Sequence, residues 1–276
     1  MALGPKTPAL KTVRRRGFSN LRDVLRAYGE GNIFGEAYGD GPVQVVWLHG
    51  WARTSADFGA AATLLARDGI ASVALDLPGF GASPLPSSAG GSALYARLLE
   101  PVLSQFGPGP LVLVGHSNGG RVAMALTLAH PDRVRAVVLS GAPLIRLANA
   151  RRSPWAYRIV RALHRHRLIS EARMEAARQK YGSRDYRNAT GLLREILVAS
   201  VNENFEAQLA QVTAPVSLVW GANDHDVPIE VAQRISALLV HSPDVELDVL
   251  AETGHLVPTE RPAQLSAHVR RRVVGE

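Results

Sequence analysis

The sequence predicts an α/β fold, a mostly parallel central sheet flanked by helices, with a helical insertion in its second half. Three observations predict it. Apolar runs of strand length (43–48, 71–75, 111–114, 134–140, 215–220 and 245–250) mostly alternate with helical patterns, and strands joined through helices imply crossover units with parallel pairing. Several runs end in glycine-rich loops, which in such a sheet fall beyond the carboxyl ends of the strands, where ligands bind. Between about Leu144 and Val212 the alternation stops and the pattern is helical throughout.

Taken in order, residues 1 to about 16 are rich in Pro, Lys and Arg and read as a loose basic arm. Leu21, Val24, Leu25 and Tyr28 have helical spacing, which predicts a short amphipathic helix over Asn20 to Tyr28. Asn32 to Tyr38 reads as an early strand, ended by Gly39-Asp40-Gly41-Pro42, and Val43 to Leu48 as a buried strand closing on His49-Gly50-Trp51. Phe58 to Asp68 is helical. Ala71 to Leu75 then leads into Asp76-Leu77-Pro78-Gly79-Phe80-Gly81-Ala82-Ser83, and a second helix spans Ala93 to Phe106. A last helix runs from about Pro262 to Val273. The predicted organisation is a basic arm and short helix (1–31), a first part of the core (32–143), a helical cap or lid (144–212) and a second part of the core (213–276).

The composition bounds the chemistry. A chain of 276 residues with 46% apolar and 20% charged residues makes one ordinary α/β globule with an inserted lobe. With no cysteine there is no disulfide, thiolate metal site or cysteine nucleophile. No apolar run reaches the length of about 18 residues needed to span a bilayer, and the basic N-terminal residues are followed by no apolar secretory core. The expectation is a cytoplasmic protein without a transmembrane segment. The net charge is +7, yet no helix-turn-helix, zinc-finger or aromatic RNA-binding pattern accompanies it, so no nucleic-acid partner is expected. The charge concentrates in the insertion, where Arg146, Arg151, Arg152, Arg158, Arg161, His164, Arg165, His166, Arg167 and Arg173 face one acid, Glu171. That stretch is either a solvated helix face or a docking face for anionic substrate or membrane headgroups. No sequence signal bears on oligomeric state.

The central motif is Gly115-His116-Ser117-Asn118-Gly119, entered from the strand Leu111–Val114 and followed by a helical pattern to His130. A G-x-S-x-G between a strand and a helix is the pattern of a nucleophile elbow, a tight turn that holds the serine at the edge of a sheet. Glycines at 115 and 119 let strand and helix approach closely. The N–H of Asn118, at the helix start, is then aimed at a developing oxyanion. A serine hydroxyl is a poor nucleophile until an adjacent base, itself oriented by an acid, activates it. Asp224 follows the strand 215–220, and His255, in Glu252-Thr253-Gly254-His255, follows the strand 245–250. The order Ser, Asp, His and the strand context agree. Asp226 competes with Asp224 as the acid. His225 is adjacent to the acid and badly placed to be oriented by it; His116 is expected to point away from the elbow, and His49 to be structural. His130, His164, His166, His241 and His268 are expected at the surface or at helix ends.

Together, His49-Gly50-Trp51, Asp76-x-Pro-Gly-x-Gly-x-Ser83, Gly115-His116-Ser117-Asn118-Gly119-Gly120, Gly221-x-x-Asp224-x-x-x-Pro228 and Gly254-His255 resemble the α/β-hydrolase superfamily, from about residue 32 to the C-terminus. The resemblance implies Ser117 as nucleophile, His255 as general base and acid, Asp224 as its orienting acid, and an oxyanion hole from the backbone N–H groups of Asn118 and Trp51. Each such donor is typically worth roughly 3 kcal/mol of transition-state stabilisation. It also implies that the insertion is a lid over the pocket. The opening hairpin of the family looks reduced to one strand here. Serine at the elbow excludes the branches that attack through an aspartate. The expected reaction is hydrolysis of a small carboxylic ester through an acyl-Ser117, with no cofactor and no metal. C–C, thioester or amide hydrolysis, or cofactor-free perhydrolysis, are the alternatives on the same triad, and a silent ligand receptor is the alternative from another class.

Overall fold

A computed structural model describes residues 25–147 and 155–275; the predicted arm, and the first part of the predicted helix at Asn20, lie outside the described residues. An eight-stranded sheet runs through the molecule in the order β1-β2-β4-β3-β5-β6-β7-β8. Its strands are β1 (Leu25–Tyr28), β2 (Ile33–Tyr38), β3 (Val45–Leu48), β4 (Ser72–Asp76), β5 (Leu111–His116), β6 (Val134–Ser140), β7 (Val216–Gly221) and β8 (Val245–Leu250). From β4 to β8 every neighbouring pair is parallel; β2 runs antiparallel to both β1 and β4.

This corrects two expectations. Leu25 to Tyr28 is a strand and not the end of a helix, and it pairs with β2 from Leu25↔Glu36 to Tyr28↔Ile33. The opening hairpin is therefore present. Four residues of helical spacing are too few to decide between helix and strand, and the backbone groups of β2 supply the partner that settles the choice.

The central strands are apolar without alternation because both faces are buried. In β3, Val46 and Leu48 join one core cluster and Val45 and Trp47 the other, as the two-residue period of a strand requires. The first cluster takes in α2 (Ser92–Ser104), α3 (Asn118–Ala129) and α8 (Ile229–Leu238); the second takes in α1 (Gly59–Arg67) and α10 (Pro262–Val274). Nothing in the sequence pattern had marked α8, which is needed to cover β7 and β8. Between β6 and β7 stand α4 (Trp155–Arg165), α5 (Glu171–Tyr181), α6 (Arg184–Asn188) and α7 (Gly191–Asn202), with no strand among the described residues there. They are tied to the core at particular points. The Arg121 guanidinium, buried on α3, donates to Ser200 O at 2.7 Å, and Phe205 N donates to Leu144 O at 2.8 Å.

Candidate active site

β5 passes into α3 through one residue, Ser117, held at φ 50° and ψ −116°. A non-glycine residue there costs about 1–3 kcal/mol and persists only where its surroundings over-determine it. They do here. Ser117 N donates to Ser140 O at 2.9 Å, and Gly120 N returns to Ser117 O at 3.0 Å. A Cβ on Gly115 would lie 2.5 Å from Gly120 Cα, and one on Gly119 2.0 Å from Leu48 O, so only glycine permits the approach of α3 to β5 and β3. Ser117 is half-buried between buried neighbours. As the first residue of α3, Asn118 has an N–H with no intrahelical acceptor.

The loops after β7 and β8 bring Asp224 and His255 together. Asp224 Oδ2 accepts from His255 Nδ1 at 2.8 Å, while its Oδ1 accepts from the backbone N–H groups of Asp226 and Val227 at 2.9 and 2.8 Å. The Asp224 side chain is 1% exposed and that of His255 17%. These bonds fix the Asp224 carboxylate against the His255 ring, whose Nε2 faces away from it. Asp226 is exposed, and its carboxylate stands within 4.8 Å of the same group. The carboxylates of Asp224 and Asp226 and the His255 ring lie within 4.8 Å of one another, and three hydrogen bonds already fall on the Asp224 oxygens.

Two residues not singled out from the sequence hold this pair. Gly141, at φ +54° just after β6, lies where a Cβ would come within 2.7 Å of His255 Cε1 and 3.2 Å of Asp224 Oδ2. Glu260 clamps the histidine loop from both sides, accepting from Gly254 N at 2.7 Å and Leu256 N at 3.0 Å. The only sequence signal for Glu260 is a carboxylate five positions beyond the histidine, and that spacing has no meaning before the loop is folded.

Ser117 lies on the same sheet edge. The ring of its neighbour His116 is 4.8 Å from that of His255, and a Cβ on Gly50 would stand 3.3 Å from Ser117 Cβ. His116 thus packs towards the site and not away from it, correcting the expectation. Its Nδ1 lies 3.1 Å from Ser140 O and 3.0 Å from Ser140 Oγ. Burial first, then the nearby His255, push its pKa down to about 3, so the ring is neutral.

His49 shapes the first loop. It is fully buried, with Nδ1 2.7 Å from Gly50 O and Nε2 accepting from Leu77 N at 2.9 Å, and burial lowers its pKa. Those contacts require the proton on Nδ1, a structural use of the ring. Trp51 follows, its ring edge-on to Phe80 at 5.0 Å. Asp76, likewise buried, receives Ser55 N at 2.7 Å and Ala82 N at 2.8 Å, and Ser83 Oγ donates to Asp76 O at 2.6 Å. The Asp-x-Pro-Gly-x-Gly-x-Ser motif is a loop organiser. His268 is a further correction: it is buried on α10, with Nδ1 3.2 Å from Glu246 and Nε2 2.8 Å from Asp248, remote in function from the triad and part of an ionic network that includes Arg271. His225 is exposed and His164 pairs with Glu171.

Two of the inserted helices come close to this edge. Leu193 of α7 is the side chain that a Cβ on Gly79 would meet at 3.0 Å. On α6, the Asp185 carboxyl is held above its usual range, first by burial and then by the Asp226 carboxylate, with Arg184 and then His255 acting in the opposite direction.

Residues 45–268 match the profile of the alpha/beta hydrolase family. The chain belongs to that family. It is a hydrolase. It is 30% identical over 239 residues to a 2-hydroxy-6-oxononadienedioate/2-hydroxy-6-oxononatrienedioate hydrolase of Klebsiella pneumoniae, covering 79% of this chain and 82% of that protein. An uncharacterized hydrolase of Bacillus subtilis is 28% identical over 268 residues, 86% of this chain and 93% of that one. Among solved structures, an esterase from Exiguobacterium antarcticum superposes with a TM-score of 0.67 at 21% identity, covering 92% of this chain and 97% of that one. A 2-hydroxy-6-oxo-6-phenylhexa-2,4-dienoate hydrolase from Rhodococcus does so at 0.67 and 22%, covering 92% and 99%. These structural likenesses establish the α/β-hydrolase fold. No helix among the described residues is long and apolar enough to cross a membrane.

Proposed function

We propose that this hydrolase cleaves a small, neutral carboxylic ester through an acyl-Ser117 intermediate. The observation that carries the reading is the hydrogen bond from His255 to the buried Asp224, set on the same edge as a serine in a strained strand-to-helix turn. With its Nδ1–H given to Asp224, His255 has Nε2 free to take the Ser117 hydroxyl proton as Oγ attacks the ester carbonyl. The carbonyl oxygen becomes an oxyanion received by the N–H groups of Asn118 and Trp51. Collapse expels the alcohol, which takes the proton back from His255, and leaves the acyl group on Ser117. Water, deprotonated by His255, then releases the acid and restores the serine. Asp224 remains ionised throughout. The helices between β6 and β7 act as the lid over this pocket.

A second reading, C–C bond hydrolysis, is favoured by the likeness to the Klebsiella enzyme, whose named substrates are dioates. A dianion needs cations beside the reacting atoms. Here Asp226 stands within 4.8 Å of His255, and Asp185 is within electrostatic reach of both, with Arg184 as the cation beside it. Arg53 is tied to Asp57 by two hydrogen bonds of 2.6 Å, and Arg121 is turned to backbone carbonyls. This charge pattern suits a neutral acyl substrate better.

The test pairs a chain-length series of p-nitrophenyl esters with fluorophosphonate labelling, on wild type and Ser117→Ala. Ester turnover and labelling that both vanish in the variant are the expected result. Labelling without ester turnover, together with cleavage of a vinylogous 1,5-diketone dicarboxylate, moves the assignment to C–C hydrolysis. Absence of labelling overturns the nucleophile itself.

A further inference from the structure

The inserted helix α4 packs against α5 and carries a run of exposed side chains. Tyr157 and His164, seven residues apart, turn towards α5, the first with its ring 5.9 Å from that of Tyr181 and the second 2.6 Å from Glu171. Arg158, Arg161 and Arg165 follow one another at helical spacing, and with Ile159 and Ala162 they line an open concavity of about 560 Å³. Arg158, Arg161, Arg165 and, just beyond the helix, Arg167 are exposed, and none has an acidic partner among the described residues. The one acid of this stretch, Glu171, is already taken by His164 and Arg178.

Ile159, 49% exposed, stands among these cations, and Leu168, 69% exposed, follows Arg167 just beyond the helix. Unpaired guanidiniums alone suit any polyanion, since they bind phosphate through paired N–H donors. The apolar pair narrows the choice. A nucleic-acid backbone offers aliphatic side chains nothing, whereas a bilayer surface offers phosphate groups and, a few ångströms below, hydrocarbon. We infer that the α4 face, Arg158, Ile159, Arg161 and Arg165 with Arg167 and Leu168, docks on an anionic lipid surface. This sets the inserted helices, and the sheet edge beneath them, against the membrane. The inference stands on the surface alone and is independent of which bond Ser117 attacks.

Co-sedimentation of the full chain with vesicles tests it, comparing phosphatidylcholine alone with an equal mixture of phosphatidylcholine and phosphatidylglycerol. Binding to the mixed vesicles only, released by salt, is expected. At about 1 kcal/mol per arginine near such a surface, the triple variant R158Q/R161Q/R165Q loses affinity roughly a hundredfold. Its circular dichroism spectrum and urea midpoint match those of wild type, which shows that it is folded. The double variant I159S/L168S weakens binding to the mixed vesicles at low salt and leaves its salt dependence unchanged. S117A binds like wild type, so a failure of the hydrolytic reading leaves this result untouched. Equal binding by wild type and triple variant places any attraction elsewhere, for instance on the basic N-terminal residues, and overturns the inference. So does arginine-dependent binding to duplex DNA without binding to vesicles.

Discussion

At the scale of single residues, the two carboxylates beside His255 differ in what surrounds them. Asp224 is buried with three hydrogen bonds, whereas Asp226 is exposed and contributes its backbone N–H to Asp224. Asp224→Asn is therefore expected to lower kcat about 10⁴-fold, because an amide selects the wrong tautomer of the histidine. Asp226→Asn should leave kcat on a neutral ester within a few-fold and lower KM for an anionic one. Steady-state kinetics on a neutral and a charged ester read both, and the reverse ranking transfers the orienting role to Asp226. Glu260 never touches the reacting atoms. It fixes the backbone on either side of His255, so Glu260→Ala is expected to cost up to about 10²-fold in kcat through misplacement of the ring. KM should change little.

Among the elements, the β5–α3 junction is where packing leaves least freedom. The Cβ of a Gly119→Ala variant would collide with the backbone of Leu48 and His49, and no flexible side chain is there to yield. A loss of several kcal/mol, seen as a large drop in the urea midpoint or as failure to fold, is expected. Arg121, two residues further on, joins α3 to the end of α7 through Ser200 O and Glu203 O. Arg121→Ala removes both charged hydrogen bonds and leaves Ser200 O with only Glu203 N as a donor, so about 2–3 kcal/mol of stability should be lost. Limited proteolysis should show the inserted helices loosened before the sheet unfolds. Cleavage confined to the sheet would contradict this account of what anchors α7.

For the whole molecule, the clearest consequence concerns acid. His116 and His49 are buried as neutral rings, and burial depresses both pKa values, that of His116 from 6.5 to about 3. Between those two values the unfolded chain binds protons that the folded protein does not, so stability rises with pH across the window. It is full above pH 6.5 and falls as the pH drops towards 3. Urea unfolding at a series of pH values should show this decline, and His116→Asn should flatten part of it. A variant as acid-sensitive as wild type would remove His116 from the explanation.

Much of this was legible in the chain. Uninterrupted apolar runs between helical patterns specify a parallel sheet because such strands are buried on both faces, as Val45 to Leu48 are. The G-x-S-x-G turn was readable because its geometry is local: Gly115, Ser117 and Gly119 meet conditions set within a few residues and by the strand beside them. The same holds for the order Ser117, Asp224, His255, since each follows a strand of its own. Other features depend on distant chain and were out of reach. Leu25 to Tyr28 became a strand only because β2 was there to pair with it. His116 turned towards His255, Gly141 made room for the Asp224–His255 pair, and Glu260 closed on the histidine loop. His268 was drawn from an expected helix end into a buried ionic network across β8. Pattern within a segment determines what that segment buries; which polar groups then meet is decided by the closing of the sheet, because hydrogen bonds and close contacts act over a few ångströms between residues far apart in sequence.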